Sequence, residues 1–190
     1  MDEVSQDIRY ADAVMEIKGV PILYTPYLSQ PAPQVKRRSG ILAPSFATSS
    51  GSSGAFVALP YFWAISDDKD MTITPMYADS SPGLGLEYSQ RTQRSRLSLG
   101  GSGLMDPPHE KGSKKRDFRG HFVGDGQFHI NPHWRTGFVA ERSSDQTYLR
   151  RLPYFSLSHK SQLISKGYVE SFHCRNHFSV EGYSFQGLRQ

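Results

Sequence analysis

The chain has 190 residues, enough for one domain or for a domain and a piece of another. Hydrophobic residues make up 37%, dispersed and rich in Phe and Tyr, and no run approaches the roughly 20 apolar residues of a membrane-spanning helix. A net charge of +4 is spread thinly outside Lys36-Arg37-Arg38 and the segment from Lys111 to Arg119, which argues against a nucleic-acid partner. The single cysteine, Cys174, excludes an internal disulfide.

Helical periodicity is almost absent. Short alternating segments separated by Gly, Pro, Asn, Asp and Ser predict an all-β chain. Strands are expected near residues 12–18, 20–25, 40–48, 55–65, 70–78, 84–92, 95–104, 117–130, 133–143, 160–172 and 176–186. The opening MDEVSQDIRYADAVMEIKG is acidic and lacks the apolar core of a signal peptide. If the protein is exported, the sequence is therefore expected to be a piece of a longer one.

Next comes TPYLSQPAPQVKRRSGILAPSF, where three prolines and a basic cluster lead into an apolar segment carrying a fourth, Pro44. Proline has no N–H for a ladder and is normally confined to strand edges and bulges. From here on the alternation sharpens. Phe118, Gly120, Phe122, Gly124, Gly126, Phe128 and Ile130 fall on one face, against Arg119, His121, Val123, Asp125, Gln127 and His129. The same split separates Trp134, Thr136, Phe138 and Ala140 from Arg135 and Glu141, and Leu84, Leu86 and Tyr88 from Glu87, Ser89 and Arg91. It also separates Leu97 and Leu99 from Arg96, Ser98 and Ser102, whereas 160–172 and 176–186 alternate poorly.

A soluble sheet with one wet face and a transmembrane barrel both produce this pattern. Link lengths favour the barrel: every second link is a tight turn, and two of the others, 105–116 and 144–159, are long. Several segments also reach the ~9–11 residues of a tilted membrane strand. Tyr61, Phe62, Trp63, Tyr77, Trp134 and Phe172 stand near strand ends, where interfacial girdles would lie.

Catalytic and metal chemistry find little support. GSSGA lies in a predicted hairpin loop rather than on a nucleophile elbow. His129 and His133 flank Asn131-Pro132, and His173 and His177 bracket Cys174 without a carboxylate cluster beside them. No enzyme, cofactor or metal is expected.

Several stretches, in order, carry a resemblance: GVPILYTPYLSQPAP, KRRSGILAPSF, LPYFWAISDDKDMTITPMY, then Trp134-Arg135, SDQTYLRR and YSFQGLR. From about residue 11 onward the chain resembles the LptD (organic solvent tolerance) family of lipopolysaccharide-assembly proteins of the Gram-negative outer membrane. The resemblance implies an antiparallel up-and-down transmembrane β-barrel segment, an incomplete barrel, preceded by the last strands of a β-jellyroll. Residues 1–30 would end the periplasmic jellyroll and 31–39, with Pro31, Pro33, Lys36, Arg37 and Arg38, would be the connector. Residues 40–190 would be the N-terminal strands of the barrel, about nine of them, too few to close around the family's lumen.

It also implies transport rather than catalysis. Lipopolysaccharide would be inserted into the outer leaflet, its saccharide passing through the lumen and its acyl chains leaving sideways at a weakened seam. Pro44 and Pro60 match the family's lateral-gate prolines. The implied partners are lipopolysaccharide, an outer-membrane lipoprotein plug of the LptE type and a periplasmic bridge protein of the LptA type. Cys174 matches no family cysteine position and is given no role. Two other readings stand beside this one: a porin or adhesin barrel in which the prolines are incidental, and a soluble saccharide-binding module stacking sugars on Trp63, Trp134 and tyrosines.

Overall fold

A computed structural model describes residues 7–17, 20–31, 38–48, 55–78, 81–106, 117–145, 148–151 and 161–188. The chain divides into two units, Met1–Gly40 and Ile41–Gln190.

In the first unit β1 (Asp7–Ile17) and β2 (Val20–Pro31) form an antiparallel hairpin. β2 runs well past the expected boundary at residue 25 and ends on Pro31, the residue expected to open the connector. Asp12 has φ 51° and drops out of register where Pro26, which has no donor, would face it. The Tyr24 hydroxyl donates to its carboxylate at 2.5 Å.

The second unit is one antiparallel sheet. Its elements are β3 (Gly40–Ile41), β4 (Ser45–Thr48), β5 (Ala55–Ala58), β6 (Tyr61–Ser66), β7 (Lys69–Ala78), β8 (Ser81–Arg91), β9 (Ser95–Asp106), β10 (Asp117–His129), β11 (Trp134–Ser143), one helical turn α1 (Tyr148–Arg151), β12 (Gln162–His173) and β13 (Asn176–Gly187). The order β13-β12-β11-β10-β9-β8-β7-β5-β4 follows the sequence, strand beside strand, with β3 and β6 continuing the pairing next to β7. It is an up-and-down meander, open rather than closed, and all-β apart from that single turn. The two poorly alternating segments are strands after all, paired along their full length as β12 and β13.

The register carries the alternation across the whole sheet. Tyr77, Pro82, Leu84, Leu86, Leu97, Leu99, Met105, Phe118, Phe122, Phe138 and Val169 share one face through cross-strand pairing. Thr74, Ser102, Asp106, Arg119, His121, Asp125, Arg135, Glu141, Lys166 and Glu170 share the other. Burial is inverted relative to a soluble sheet. The large apolar side chains of the first face are exposed, Phe118 at 66% and Tyr77 at 53%, while Ser102, Asp106 and His121 opposite are buried. A protein folding in water hides its apolar face because apolar area costs about 25 cal/mol per Å² to leave wet. Leaving this one bare is unfavourable in water, whereas against hydrocarbon it carries no such cost.

Of the six aromatics expected at strand ends, Tyr61, Trp63, Tyr77 and Trp134 lie on the apolar face. Phe62 and Phe172 lie on the polar one, because each stands one residue out of phase with its tryptophan neighbour or partner strand.

Glycines let rings lie flat on the apolar face. A Cβ on Gly126 would stand 2.6 Å from the Phe138 ring, and one on Gly103 would stand 2.5 Å from Phe118. Gly101 is the stricter case, since its Cβ would stand 2.8 Å from the backbone oxygen of His121. A valine there is expected to cost about 1–3 kcal/mol. Gly182→Val, with nothing within 4 Å of the added carbon, should change stability by less than about 0.5 kcal/mol. Urea midpoints read from the gel mobility of unheated samples would compare the two.

Candidate functional site: a proline band and a charged inner face

Three of the first strands meet at one level, and each carries a proline there. Pro44 closes the non-strand stretch 42–44 between β3 and β4, and buried Pro60 follows Leu59 between β5 and β6. The expected continuous strands 40–48 and 55–65 are thus each broken at their proline. Pro75 lies within β7, directly across from Leu84 of β8.

Two hydrogen bonds fix the directions. Leu42 N–H donates to the Pro60 carbonyl at 2.8 Å, and Leu59 N–H donates to the Pro75 carbonyl at 3.1 Å. In an antiparallel ladder the N–H and C=O of one residue point toward the same neighbour. The donor that Pro60 lacks therefore faces the first strand, and the donor that Pro75 lacks faces the second. Two successive seams are each missing a bond, where one interstrand hydrogen bond is worth about 0.5–1.5 kcal/mol net in water. Among the described residues β4 pairs β5 over Ser45–Thr48 and β3 pairs β6, with the break at Pro44 between them.

Pro44 and Pro60 were legible as candidates. Pro75 was not singled out, although ITPMY, a proline inside an alternating segment, is the signal that finds it. Of the connector residues, Arg38 is exposed and Pro31 belongs to β2, while Pro33, Lys36 and Arg37 lie outside the described residues.

The polar face is laced with ion pairs. Arg135–Glu170 (2.5 Å), Lys166–Glu181 (2.8 Å) and Arg96–Asp125 (3.3 Å) cross between neighbouring strands. At the end where the long links leave, Arg119 reaches Asp106 at 3.2 Å and forks onto Asp145, Nε to Oδ2 at 2.7 Å and Nη2 to Oδ1 at 2.5 Å. Such two-pronged, charge-assisted contacts are among the stronger ones a protein makes. Ser81 donates to Asp106 at 2.7 Å.

This cluster draws the chain after β11 onto the polar face. Asp145 Oδ1 accepts the Tyr148 N–H at 2.8 Å, capping the helical turn from three residues upstream. Ser144 and Gly120 exchange two further bonds, at 2.8 and 2.9 Å. The Tyr148 hydroxyl then sits 2.6 Å from Ser102 Oγ, which is 2.9 Å from His121 Nδ1. Tyr148 and Leu149 are fully buried, in one apolar cluster with Leu104 and Leu163. Burial pushes the Tyr148 phenol above its ordinary range, so it stays neutral. The anchored residues Ser144, Asp145, Tyr148 and Leu149 belong to SDQTYLRR, and nothing in its local pattern announced their docking.

Fold and site together define the class: an open, meandering antiparallel wall with one apolar and one charged face, loosely paired along its leading strands. The family model described as LptD protein matches residues 8–93, a span that contains all three prolines. Among curated relatives, the LPS-assembly protein LptD of Pasteurella multocida is 35% identical over 142 residues, 72% of this chain and 17% of that protein. Its namesake from Thiobacillus denitrificans is 28% identical over 179 residues, 93% of this chain and 24% of that protein. That from Chromobacterium violaceum is 50% identical over 64 residues, 34% of this chain and 8% of that protein. The chain belongs to the LptD family, and it spans about a fifth of the length of the first two of these relatives.

The contact that holds the folded-in segment is open to test. Arg119→Met should speed amide hydrogen exchange over Ser144–Arg151 by about ten-fold or more, since a hydrogen bond to a charged group is worth about 1.5–3 kcal/mol. Combining it with Asp145→Asn should add little further change, as expected for partners in one contact. Unchanged exchange in the single variant would show that the segment is held by something other than Arg119.

Proposed function

We propose that Ile41–Gln190 forms the leading strands of an outer-membrane barrel that places lipopolysaccharide in the outer leaflet. The observation that carries this is the sorting of charge. In strands β4–β13 every Asp and Glu lies on the face opposite the bare apolar one. Only a wall with hydrocarbon outside and a wet interior makes that arrangement favourable. The names of the relatives, LPS-assembly protein, supply the substrate class.

In this reading the charged face lines the passage taken by the saccharide, and the proline band is the weak seam through which acyl chains depart sideways. In hydrocarbon, a backbone group without a partner costs several kcal/mol, so a seam short of donors separates before the rest of the wall. Pro44 and Pro60 act there as lateral-gate residues, and Pro75 extends the weakness to the next seam. The role is transport, not catalysis. Residues 1–30 then belong to a periplasmic jellyroll and 31–39, with Pro31, Pro33, Lys36, Arg37 and Arg38, to the connector. A bridge protein of the LptA type would deliver the lipid to the jellyroll, and a lipoprotein of the LptE type would occupy the lumen.

Two measurements in the full-length parent test this. Recovery of the protein in the soluble fraction without detergent would sink the barrel. Replacing Pro60 and Pro75 by alanine restores two donors at about 1 kcal/mol each, enough to slow seam opening by about ten- to thirty-fold. Surface lipopolysaccharide, followed by pulse-labelling, should then appear correspondingly late. An unaltered rate would remove the gate role from the prolines.

A further inference from the structure

Two histidines that sequence spacing sets in different groups come together in the fold. His133 ends the link between β10 and β11, His173 ends β12, and their ring centres are 4.5 Å apart with the planes inclined by 31°. Both residues are exposed, at the end of the sheet opposite the Arg119 cluster, where the short links lie. Register brings them there. The Phe172 N–H donates to the His133 carbonyl at 2.8 Å, which carries the β11–β12 ladder one step past Trp134↔Ser171.

Each imidazole stands on a held backbone. Asn131 Oδ1 accepts the N–H groups of His133 and Trp134, at 2.9 and 2.8 Å, and so closes the link around Pro132. His173 pairs with Asn176 across the Cys174-Arg175 turn, in which Cys174 takes φ 50°. The His133 ring is fixed as well, since its Nδ1 lies 3.0 Å from the Phe172 carbonyl oxygen. That oxygen can only accept, so Nδ1 carries the ring proton and Nε2 keeps its lone pair. Metal-binding histidines are normally arranged in this way, with the second nitrogen donating to a carbonyl or carboxylate.

The spacing of the rings fits the same chemistry. Two imidazoles bound side by side to one ion, each nitrogen about 2.0–2.1 Å from it, have ring centres roughly 4.5–5 Å apart. The lower end of that range corresponds to a right angle at the ion, which suits the tetragonal coordination of Cu²⁺ better than the tetrahedral one of Zn²⁺. Imidazole is a ligand type that Cu²⁺ favours, and Cu²⁺ heads the affinity order of the divalent ions. Among the described residues no third histidine, cysteine or carboxylate extends the pair into a larger set, so water or a small chelator takes the other positions.

We propose that His133 and His173 form a two-histidine site for a divalent transition-metal ion, Cu²⁺ in preference to Zn²⁺, held by Nε2 of His133 and an imidazole nitrogen of His173. An ion there ties the β10–β11 link to the β12–β13 link. The site depends only on the pairing of β11 with β12, and it stands whether or not the sheet is a membrane wall.

To test it, the full-length parent in detergent micelles is titrated with Cu²⁺ chelated by iminodiacetate, a complex that leaves the metal room for two neighbouring imidazoles. Binding is read from the imidazole-nitrogen modulation of the electron spin echo. The parent should bind one complex more than the double variant His133→Ala/His173→Ala. Either single replacement should weaken that binding by about ten-fold or more, since loss of a group that merely orients a metal ligand already costs about 10–100-fold. His129→Ala, His177→Ala and Cys174→Ser should bind as the parent does, and Zn²⁺ should compete only at about ten-fold higher concentration or more. Gel mobility of unheated samples checks that every variant is folded. A folded double variant that binds like the parent overturns the site, and a loss confined to one of the two histidines overturns the pair. Loss in Cys174→Ser would assign the metal to the thiol instead, and tighter binding of Zn²⁺ would overturn the choice of ion.

Discussion

The constraint on which everything else depends is strand register. Side chains alternate with a period of two, so a slip of one residue in any strand of the second unit would carry its charges to the apolar face and its Phe and Leu residues to the other. With hydrocarbon on one side, that slip exposes ionised groups to a medium in which each costs several kcal/mol. The ion pairs of the polar face reinforce the same choice, because Arg135 meets Glu170 only when Trp134 sits opposite Ser171. Register, face and function are a single decision made strand by strand.

That decision was written plainly in the sequence. Alternation at Leu84–Tyr88, Phe118–Phe128 and Trp134–Ala140 assigned the faces, because it depends only on residues two apart. The continuity of strands was harder to read. Residues 40–48 and 55–65 alternate well enough to read as unbroken strands, yet Pro44 and Pro60 interrupt both, a local effect of a missing donor that overrides pattern. β12 and β13 were expected as strands near 160–172 and 176–186 despite their poor alternation, and they pair along their full length. The segment after Ser143 could not be read at all. Its anchor at Arg119 lies 26 residues away and that at Ser102 lies 46 residues away, so the code for it is a set of long-range contacts.

The proline band and the ion-paired face illustrate how one sheet holds regions of different strength. Toward β13 the ladder is long and cross-braced by salt bridges, while toward β4 it is broken and deprived of donors on two adjacent seams. Under the proposed function that gradient would let the wall part at one place and hold elsewhere.

The Arg119 cluster has a consequence for the order in which the chain acquires its structure. It joins Ser81, Ser102, Asp106, Arg119, Asp145 and Tyr148, which come from three strands, β8 to β10, and from the link that follows β11. No two neighbouring strands can assemble it, so hairpins that zip up in sequence must all be in place before Tyr148 finds its pocket. Docking of that segment is therefore a late event, and it reports that the three strands beneath it have already chosen the right partners.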